Sequence, residues 1–320
     1  MRIIMMGTGP FAVPTFESLL ESEHDVVVLV TRPTPPVRSR GKAPRNAMRE
    51  VAEARGIEVL SPENVNAEAA RKQLASLRPD LYVVCDYGQI LSPETLSIPP
   101  LGGINLHGSL LPKYRGAAPV HWAILNGDQE TGITVIHMTP KLDGGPMLSL
   151  RSTPIGKSET TEELEPRLSL LGVEPVHEAI AMLAAWDRES PIGTPQDQSL
   201  ACRAPRLKKS DGAIDWSRSA THIYNQFRAL KPWPGTFTEW NRPNGQSLRL
   251  LLDDIAVTDG VVDAGTEPGT VLVSDGQSFE VATGAGILSL VKVQPAGKRA
   301  MSIGEFLRGY AIPVGERLGD

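Results

Sequence analysis

The sequence predicts an α/β fold, a doubly wound parallel sheet, followed by a small C-terminal β-barrel. Three observations predict it. Short, continuous apolar runs alternate with amphipathic segments through the first half of the chain. A turn-rich stretch carrying several cations breaks this texture at Arg188–Ser210. Beyond it, short strand candidates recur between Gly- and Asp-containing turns. Strands that are apolar on both faces belong to a parallel sheet covered on both sides, whereas short, closely spaced strands form small barrels. At 320 residues the chain has room for two domains of ordinary size. The expected division is 1–188 for the α/β domain, 189–209 for a basic linker and 210–320 for the barrel.

Arg2–Met6 reads as the first buried strand, Gly7-Thr8-Gly9-Pro10 as a turn and Val13–Leu20 as a helix. Asp25–Val30, with its unbroken run from Val26 to Val30, is the second strand. Ala43–Arg55 and Ala67–Leu77 read as helices, with Glu58–Leu60 a short strand between them, and Leu81–Cys85 is a further apolar strand. Gly103–His107 and Thr131–Met138 continue the sheet, separated by a helix at Pro119–Leu125. After the linker, a helix over Ala220–Leu230 precedes strands at Leu248–Leu252, Gly269–Val273, Phe279–Thr283 and Gly286–Val293. Trp216, Trp233 and Trp240 read as core.

Hydrophobic residues make up 41% of the chain, ample for a buried core, and the net charge is -5. That balance excludes a protein that neutralises phosphates over its whole surface, so any nucleic-acid contact must come from local basic patches. Cys85 and Cys202 are the only cysteines, far apart and without a Cys-x-x-Cys, so neither a zinc site nor a disulfide framework is indicated; two free thiols are expected over a single bridge between them. The opening Met1–Gly7 is too short and too soon broken for a signal peptide, and no apolar stretch approaches the ~20 residues of a membrane span. A soluble, cytoplasmic, monomeric protein is expected, with no membrane partner.

The densest chemical signal is Asn105-Leu-His-Gly-Ser-Leu-Leu-Pro112 followed by Arg115-Gly-Ala-Ala-Pro119. Residues two apart on a strand point the same way, so Asn105 and His107 can face one cleft at the carboxyl end of their strand, where open α/β sheets place ligands. Leu142-Asp143-Gly144-Gly145-Pro146 adds an acid in a glycine-rich loop after the next strand. An Asn and a His at a strand end can equally satisfy buried backbone groups, and an Asp in such a turn is often structural. The ordered combination, with the rigid Pro112–Pro119 segment behind it, favours chemistry. No metal ligand set is visible: His24, His121, His137, His177 and His222 are not placed to form one with the trio.

These motifs, with Glu130-Thr-Gly-Ile-Thr134, resemble the formyltransferase family that uses 10-formyltetrahydrofolate. Gly7-Thr8, Phe11-Ala-Val-Pro14, Ile214-Asp-Trp216, Pro232-Trp-Pro234, Gln294-Pro-Ala-Gly-Lys298 and Ala300-Met301 resemble the branch of it that acts on methionyl-tRNA. The resemblance covers essentially the whole chain. It implies a Rossmann-like formyltransferase domain with an OB-like barrel, and transfer of a formyl group from 10-formyltetrahydrofolate to the amino group of initiator methionyl-tRNA. It implies a catalytic trio of Asn105, His107 and Asp143, and no metal. It places folate against Gln89, Ile90, Leu91, Ser109, Leu110, Leu111, Pro112, Pro140, Lys141 and Leu142. Three positions depart from the family's usual pattern: Gly9-Pro10 stands where Pro-Asp is common, Asp86 where a small apolar residue precedes Tyr-Gly, and Gly144 where Thr often follows the Asp.

Formyl transfer suits the trio. Asn105 can donate to the oxyanion of a tetrahedral intermediate without adding an acid. His107 can stabilise that oxyanion or shuttle protons, and Asp143 can orient the imidazole or take a proton through water. No serine or cysteine nucleophile is required, because the donor is already activated.

Arg32, Arg38, Arg40, Lys42, Arg45 and Arg49 occur with no acid until Glu50, and four prolines keep most of that stretch from being helical. A basic loop after the second strand sits at the cleft's edge and can meet an acceptor stem; by resemblance it is the tRNA-reading insertion, with Arg40 its key arginine. A solvated loop is the plain alternative. Arg203, Arg206, Lys208 and Lys209 in the linker, and Arg249, Lys292, Lys298 and Arg299 beyond it, can extend a track for the tRNA backbone.

Three rivals remain. Gly7-Thr8-Gly9-Pro10-Phe11-Ala12 formally fits a dinucleotide fingerprint, which would suit an NADP-dependent oxidoreductase, although Pro10 and Pro14 remove amides from the helix start. A formyltransferase for an amino-sugar nucleotide or glycinamide ribonucleotide would share the trio. A tRNA-binding module without activity leaves the trio unexplained.

Overall fold

The computed structural model describes residues 1–35, 45–242 and 245–319. In chain order its elements begin β1 (Arg2–Gly7), α1 (Val13–Leu20), β2 (Asp25–Val30), α2 (Ala47–Ala54), β3 (Val59–Leu60), α3 (Glu68–Ser76), β4 (Leu81–Cys85) and α4 (Pro93–Leu96). There follow β5 (Gly103–His107), β6 (Arg115–Gly116), α5 (Pro119–Leu125), β7 (Glu130–His137), β8 (Met147–Pro154), α6 (Thr161–Leu171), α7 (Val173–Ala184) and β9 (Arg203–Ala204). The remainder comprises α8 (Ala220–Leu230), β10 (Thr236–Asn241), β11 (Ser247–Thr258), β12 (Val271–Ser274), β13 (Phe279–Ala282), β14 (Ile287–Pro295), β15 (Met301–Ser302) and α9 (Ile303–Gly309).

One compact unit comprises Met1–Val120, Gln129–Ile155 and Glu163–Arg206. Its sheet has the order β3-β2-β1-β4-β5-β7-β8. The strands from β3 to β5 are parallel, whereas β7 is antiparallel to both β5 and β8. Ile3–Met6 are fully buried because β1 lies between β2 and β4 and is covered on both faces. Alternation sends Ile4, Met6, Val28, Val30, Tyr82 and Val84 into one cluster with Val65, Leu74 of α3 and Leu96 of α4. Helix α1 contacts α2 and α7, whose buried Phe16, Met48 and Ile180 supply apolar cover of their own.

The α/β reading of this unit holds, with two physical corrections. The sheet is parallel only as far as β5, and its last two strands form an antiparallel pair. The second of these, β8, and the helices α6 and α7 had no clear pattern: β8 is an edge strand buried at few positions, and Pro166 sits inside α6. The helix expected over Ala43–Arg55 is described from Ala47, where Asn46 caps it by accepting from Arg49 N at 3.0 Å.

The other unit comprises His121–Asp128, Gly156–Glu162 and Leu207–Asp320. Its sheet is antiparallel and curled into a half-barrel, with the order β10-β11-β14-β13-β12 and β15 added to β14. Strand β11 pairs with β10 over Ser247–Leu252 and with β14 from Leu250 to Thr258, and its Leu250, Leu252 and Ile255 lie in a core containing Phe279, Leu288, Val293 and Phe306. Trp216 and Trp240 join that core, as expected. Trp233 does not: it is 51% exposed, because it sits in the proline-flanked turn between α8 and β10, where no sheet register carries it inward.

Truncating the fully buried Phe279 to Ala is expected to lower the stability of this unit by about 3–5 kcal/mol, whereas Val291→Ala, on an exposed position of β14, costs under about 0.5 kcal/mol. Urea unfolding of both variants followed by Trp fluorescence checks the contrast.

Candidate active site

Strand β5 presents Asn105 and His107 two residues apart at its carboxyl end. Asp143 comes from the loop between β7 and β8, where its backbone adopts a left-handed φ of 45°. The three side chains converge. Asn105 Nδ2 approaches Asp143 Oδ1 at 3.4 Å, a long hydrogen bond, and His107 Nδ1 lies 3.8 Å from Asp143 Oδ2. That second oxygen is fixed by Gly116 N, which donates to it at 2.9 Å.

The other ring nitrogen settles the imidazole's tautomer. His107 Nε2 is 2.9 Å from the carbonyl oxygen of Tyr114, and a carbonyl can only accept, so Nε2 carries a hydrogen. The lone pair of the neutral ring is therefore on Nδ1, facing Asp143. His107 is only 5% exposed, so the ring cannot easily turn to exchange these roles.

The trio opens on a cavity of ≈ 600 Å³, a size that suits a small molecule. Gln89, Ile90, Leu91, Pro140, Lys141 and Leu142, which the resemblance assigns to folate, line it. Ile90 and Leu142 are strongly exposed, leaving apolar surface at the wall for a flat ring to cover. The Gln89 side chain is turned to structure, accepting from Val65 N and donating to Pro62 O, so this residue offers its backbone. Ser109, Leu110, Leu111 and Pro112 are not in the wall. Ser109 is buried, its hydroxyl donating to Lys113 O and its carbonyl accepting from Thr134 Oγ1, and Leu111 N donates to that same Thr134 hydroxyl. Through Ser109 and Leu111 the turn after β5 is pinned to Thr134 of β7.

One charged cluster in the wall was only half legible. Asp86 follows the apolar strand β4, and its carboxylate fills the place where residue 9 has no side chain: a Cβ on Gly9 would stand 1.6 Å from Asp86 Oδ2. Protein crowds the carboxyl although one edge meets solvent, and this desolvation pushes it up to about 6, against the pull of Arg32 and Arg206. Glu165 of α6 shares the cavity and is pushed up to about 7, chiefly by burial and further by Asp86. The position of Asp86 after an all-apolar strand was a signal; Glu165, inside a polar helix, gave none.

Of the cations expected to meet tRNA, Arg38, Arg40 and Lys42 lie outside the described residues. Arg45 is exposed and 3.3 Å from Glu50. Arg203 and Arg206 are exposed on the first unit, and Arg206 reaches the cavity wall. Lys208, Lys209 and Lys298 are exposed on the other unit. Arg249 is instead stacked on Phe237 at 3.3 Å, Lys292 is held by Asp253 at 2.8 Å, and Arg299 is paired with Glu305. Those three are engaged within their own unit and are poor candidates for a phosphate track. Among the described residues no His, Cys, Asp and Glu group could hold a metal ion, and no helix is long and apolar enough to cross a membrane.

Residues 1–180 match the family model described as formyl transferase, and residues 206–311 match the formyl transferase C-terminal domain. A methionyl-tRNA formyltransferase of Rhodopirellula baltica is 45% identical over 99% of this chain and 96% of that one. Another, of Citrifermentans bemidjiense, is 42% identical over 100% of this chain and 96% of its own length. The chain belongs to the methionyl-tRNA formyltransferase family. Solved structures at lower identity share the fold. An N-formyltransferase from Helicobacter canadensis, in complex with folinic acid and dTDP-3-aminofucose, superposes with a TM-score of 0.65 at 17% identity, covering 90% of this chain and 98% of that one. HypX from Aquifex aeolicus, in complex with tetrahydrofolic acid, gives 0.60 at 18% identity, covering 99% of this chain and 48% of that one.

The raised carboxyls fix the sign of a pH effect. The folded state holds protons on Asp86 and Glu165 that the unfolded chain releases near 3.8 and 4.5, so both groups favour folding in acid and that contribution is lost as pH rises toward about 6 and about 7. Asp86→Asn and Glu165→Gln are each expected to flatten the decline in stability between about pH 4 and 7, read from urea midpoints across that range. Gly9→Ala should weaken folding, and adding Asp86→Ala should restore most of the loss.

Proposed function

We propose that this chain transfers the formyl group of 10-formyltetrahydrofolate directly to the amino group of initiator methionyl-tRNA, producing the formylated initiator for translation. One observation carries the reading: a carboxamide, an imidazole and a carboxylate meet at one cavity in a chain whose full-length relatives are methionyl-tRNA formyltransferases. The apolar wall at Ile90, Leu91 and Leu142 suits a flat pterin, with backbone groups of 89–91 and 140–143 to bind its polar edge. The formyl donor is a co-substrate, and no covalent enzyme intermediate is required.

The neutral amine attacks the formyl carbon; a C–N bond forms and the carbonyl π pair moves to oxygen. Asn105 Nδ2 has one hydrogen toward Asp143 and a second free to donate to that oxyanion. The attacking nitrogen then loses a proton and the departing folate nitrogen gains one, its C–N bond breaks, and the carbonyl re-forms. The proton count closes without an outside acid or base. His107 Nδ1 is the nitrogen available to hold that proton in transit, and Asp143 beside it stabilises the imidazolium while it lasts. The crowded exit of β2 and β1 argues against dinucleotide binding, since the Asp86 carboxylate occupies the turn where a pyrophosphate would have to approach. Arg203, Arg206, Lys208, Lys209 and Lys298, with the basic stretch around Arg40, are proposed to meet the tRNA. A tRNA substrate and two cysteines free of any disulfide support a cytoplasmic location.

Labelled 10-formyltetrahydrofolate offered with methionyl-tRNA, an amino-sugar nucleotide and glycinamide ribonucleotide in parallel should label only the tRNA; label on either small amine overturns the acceptor assignment. Asn105→Ala should lower kcat by about 10²- to 10³-fold with tRNA affinity retained.

A further inference from the structure

Residues 189–209 were expected to form a linker, yet those up to Arg206 belong to the first compact unit. Strand β9 pairs with β6, Arg115 opposite Arg203 and Gly116 opposite Ala204. Gly116 must be glycine for this: its φ is 126°, and a Cβ there would lie 2.6 Å from Ala204 O. The same Gly116 donates its N–H to Asp143 Oδ2.

Gln196 makes a second attachment to the same residue. It is 7% exposed, and its Nε2 donates to the carbonyl of Asp143 at 2.8 Å and to that of Gly145 at 2.7 Å. Its Oε1 accepts from Arg115 Nε at 3.1 Å and from Nη2 at 2.5 Å. All the hydrogen-bonding capacity of one buried amide is thus spent on two backbone carbonyls of the Asp143 loop and on the arginine that leads into Gly116.

We propose that Gln196 is a positioning residue, holding the Asp143 carboxylate in register with Asn105 and His107 and making the segment that carries Arg203 and Arg206 a working part of the active site. The physical need is clear. Asp143 sits at a positive φ that a non-glycine residue adopts only when its surroundings impose it. The carbonyls of Asp143 and Gly145 would otherwise turn toward water and carry the carboxylate with them. Displacing a catalytic group by an ångström costs on the order of 10²-fold in rate. This inference rests on the reading of the trio as catalytic. It adds that an acceptor docked on Arg203 and Arg206 presses on the same backbone that sets Asp143.

The test is a double-mutant cycle on the full chain. Gln196→Ala is expected to lower kcat for methionyl-tRNA formylation by about 10- to 100-fold, with KM for both substrates within about three-fold. Gln196→Glu keeps the acceptor for Arg115 but removes the amide donor, so it should lose as much rate while preserving the side-chain volume. In an Asp143→Asn background, where the carboxylate no longer acts, Gln196→Ala should cost less than about two-fold. A merely structural role predicts the same fold-loss in both backgrounds, and that result, or wild-type kcat in both Gln196 variants, overturns the proposal. Thermal melts exclude loss of folded protein as the cause. Should the unsubstituted protein formylate a different amine, the acceptor assignment fails separately, and the cycle is read on that amine.

Discussion

The fixing of one carboxylate governs this active site. Asp143 belongs to a glycine-rich loop at the end of an antiparallel strand, not to the parallel strands that end at the cavity. Loops at strand ends have few intrinsic reasons to hold a side chain within catalytic tolerance. Here the carboxylate accepts from Gly116 N and lies beside Asn105 Nδ2 and His107 Nδ1, while the loop's carbonyls are held from behind by Gln196. The scaffold supplies the carboxamide and imidazole almost without cost, since alternation along β5 aims both at one side. The acid requires a dedicated set of donors.

That division explains what could be read from the sequence. The parallel core was legible because its strands are continuous apolar runs; β1, β2, β4 and β5 coincide closely with Arg2–Met6, Asp25–Val30, Leu81–Cys85 and Gly103–His107. The carboxamide–imidazole pair and the acid were legible as residue types at strand ends. Edge elements were not. β8 shows no apolar alternation because its half-buried side carries Ser149, Arg151 and Thr153 while Leu150 lies on the exposed side, and β10 is short and lies next to prolines. The second set of residues around the site was the least legible of all. Gln196 sits in Thr194-Pro-Gln-Asp-Gln198, whose composition announces only turns, and hydrogen bonding to a distant loop leaves no periodicity. The motif after Asn105 and His107 carries a structural task that its residue types do not announce: Ser109 and Leu111 are tied to Thr134 of β7.

The charged cluster at the β1–β2 side of the cavity follows from a local exchange of volume. A glycine at position 9 and an acid at position 86 fit each other, since the carboxylate occupies what a side chain at residue 9 would need. Two guanidinium groups, Arg32 and Arg206, offset part of the desolvation of the Asp86 carboxyl, and Asp86 in turn adds to the upward push on Glu165. The result is a stretch of cavity wall that gains negative charge as pH rises through about 6 and about 7.

The Tyr114 carbonyl has a consequence for how protons travel. With Nε2 committed to that oxygen, the imidazole of His107 has a single nitrogen open to traffic. It cannot act as a wire that takes a proton on one face and delivers it from the other. Whatever it collects at Nδ1 must leave by the same atom, so in the proposed transfer the incoming amine and the outgoing one would visit the ring in turn, the ring storing the proton between the two visits.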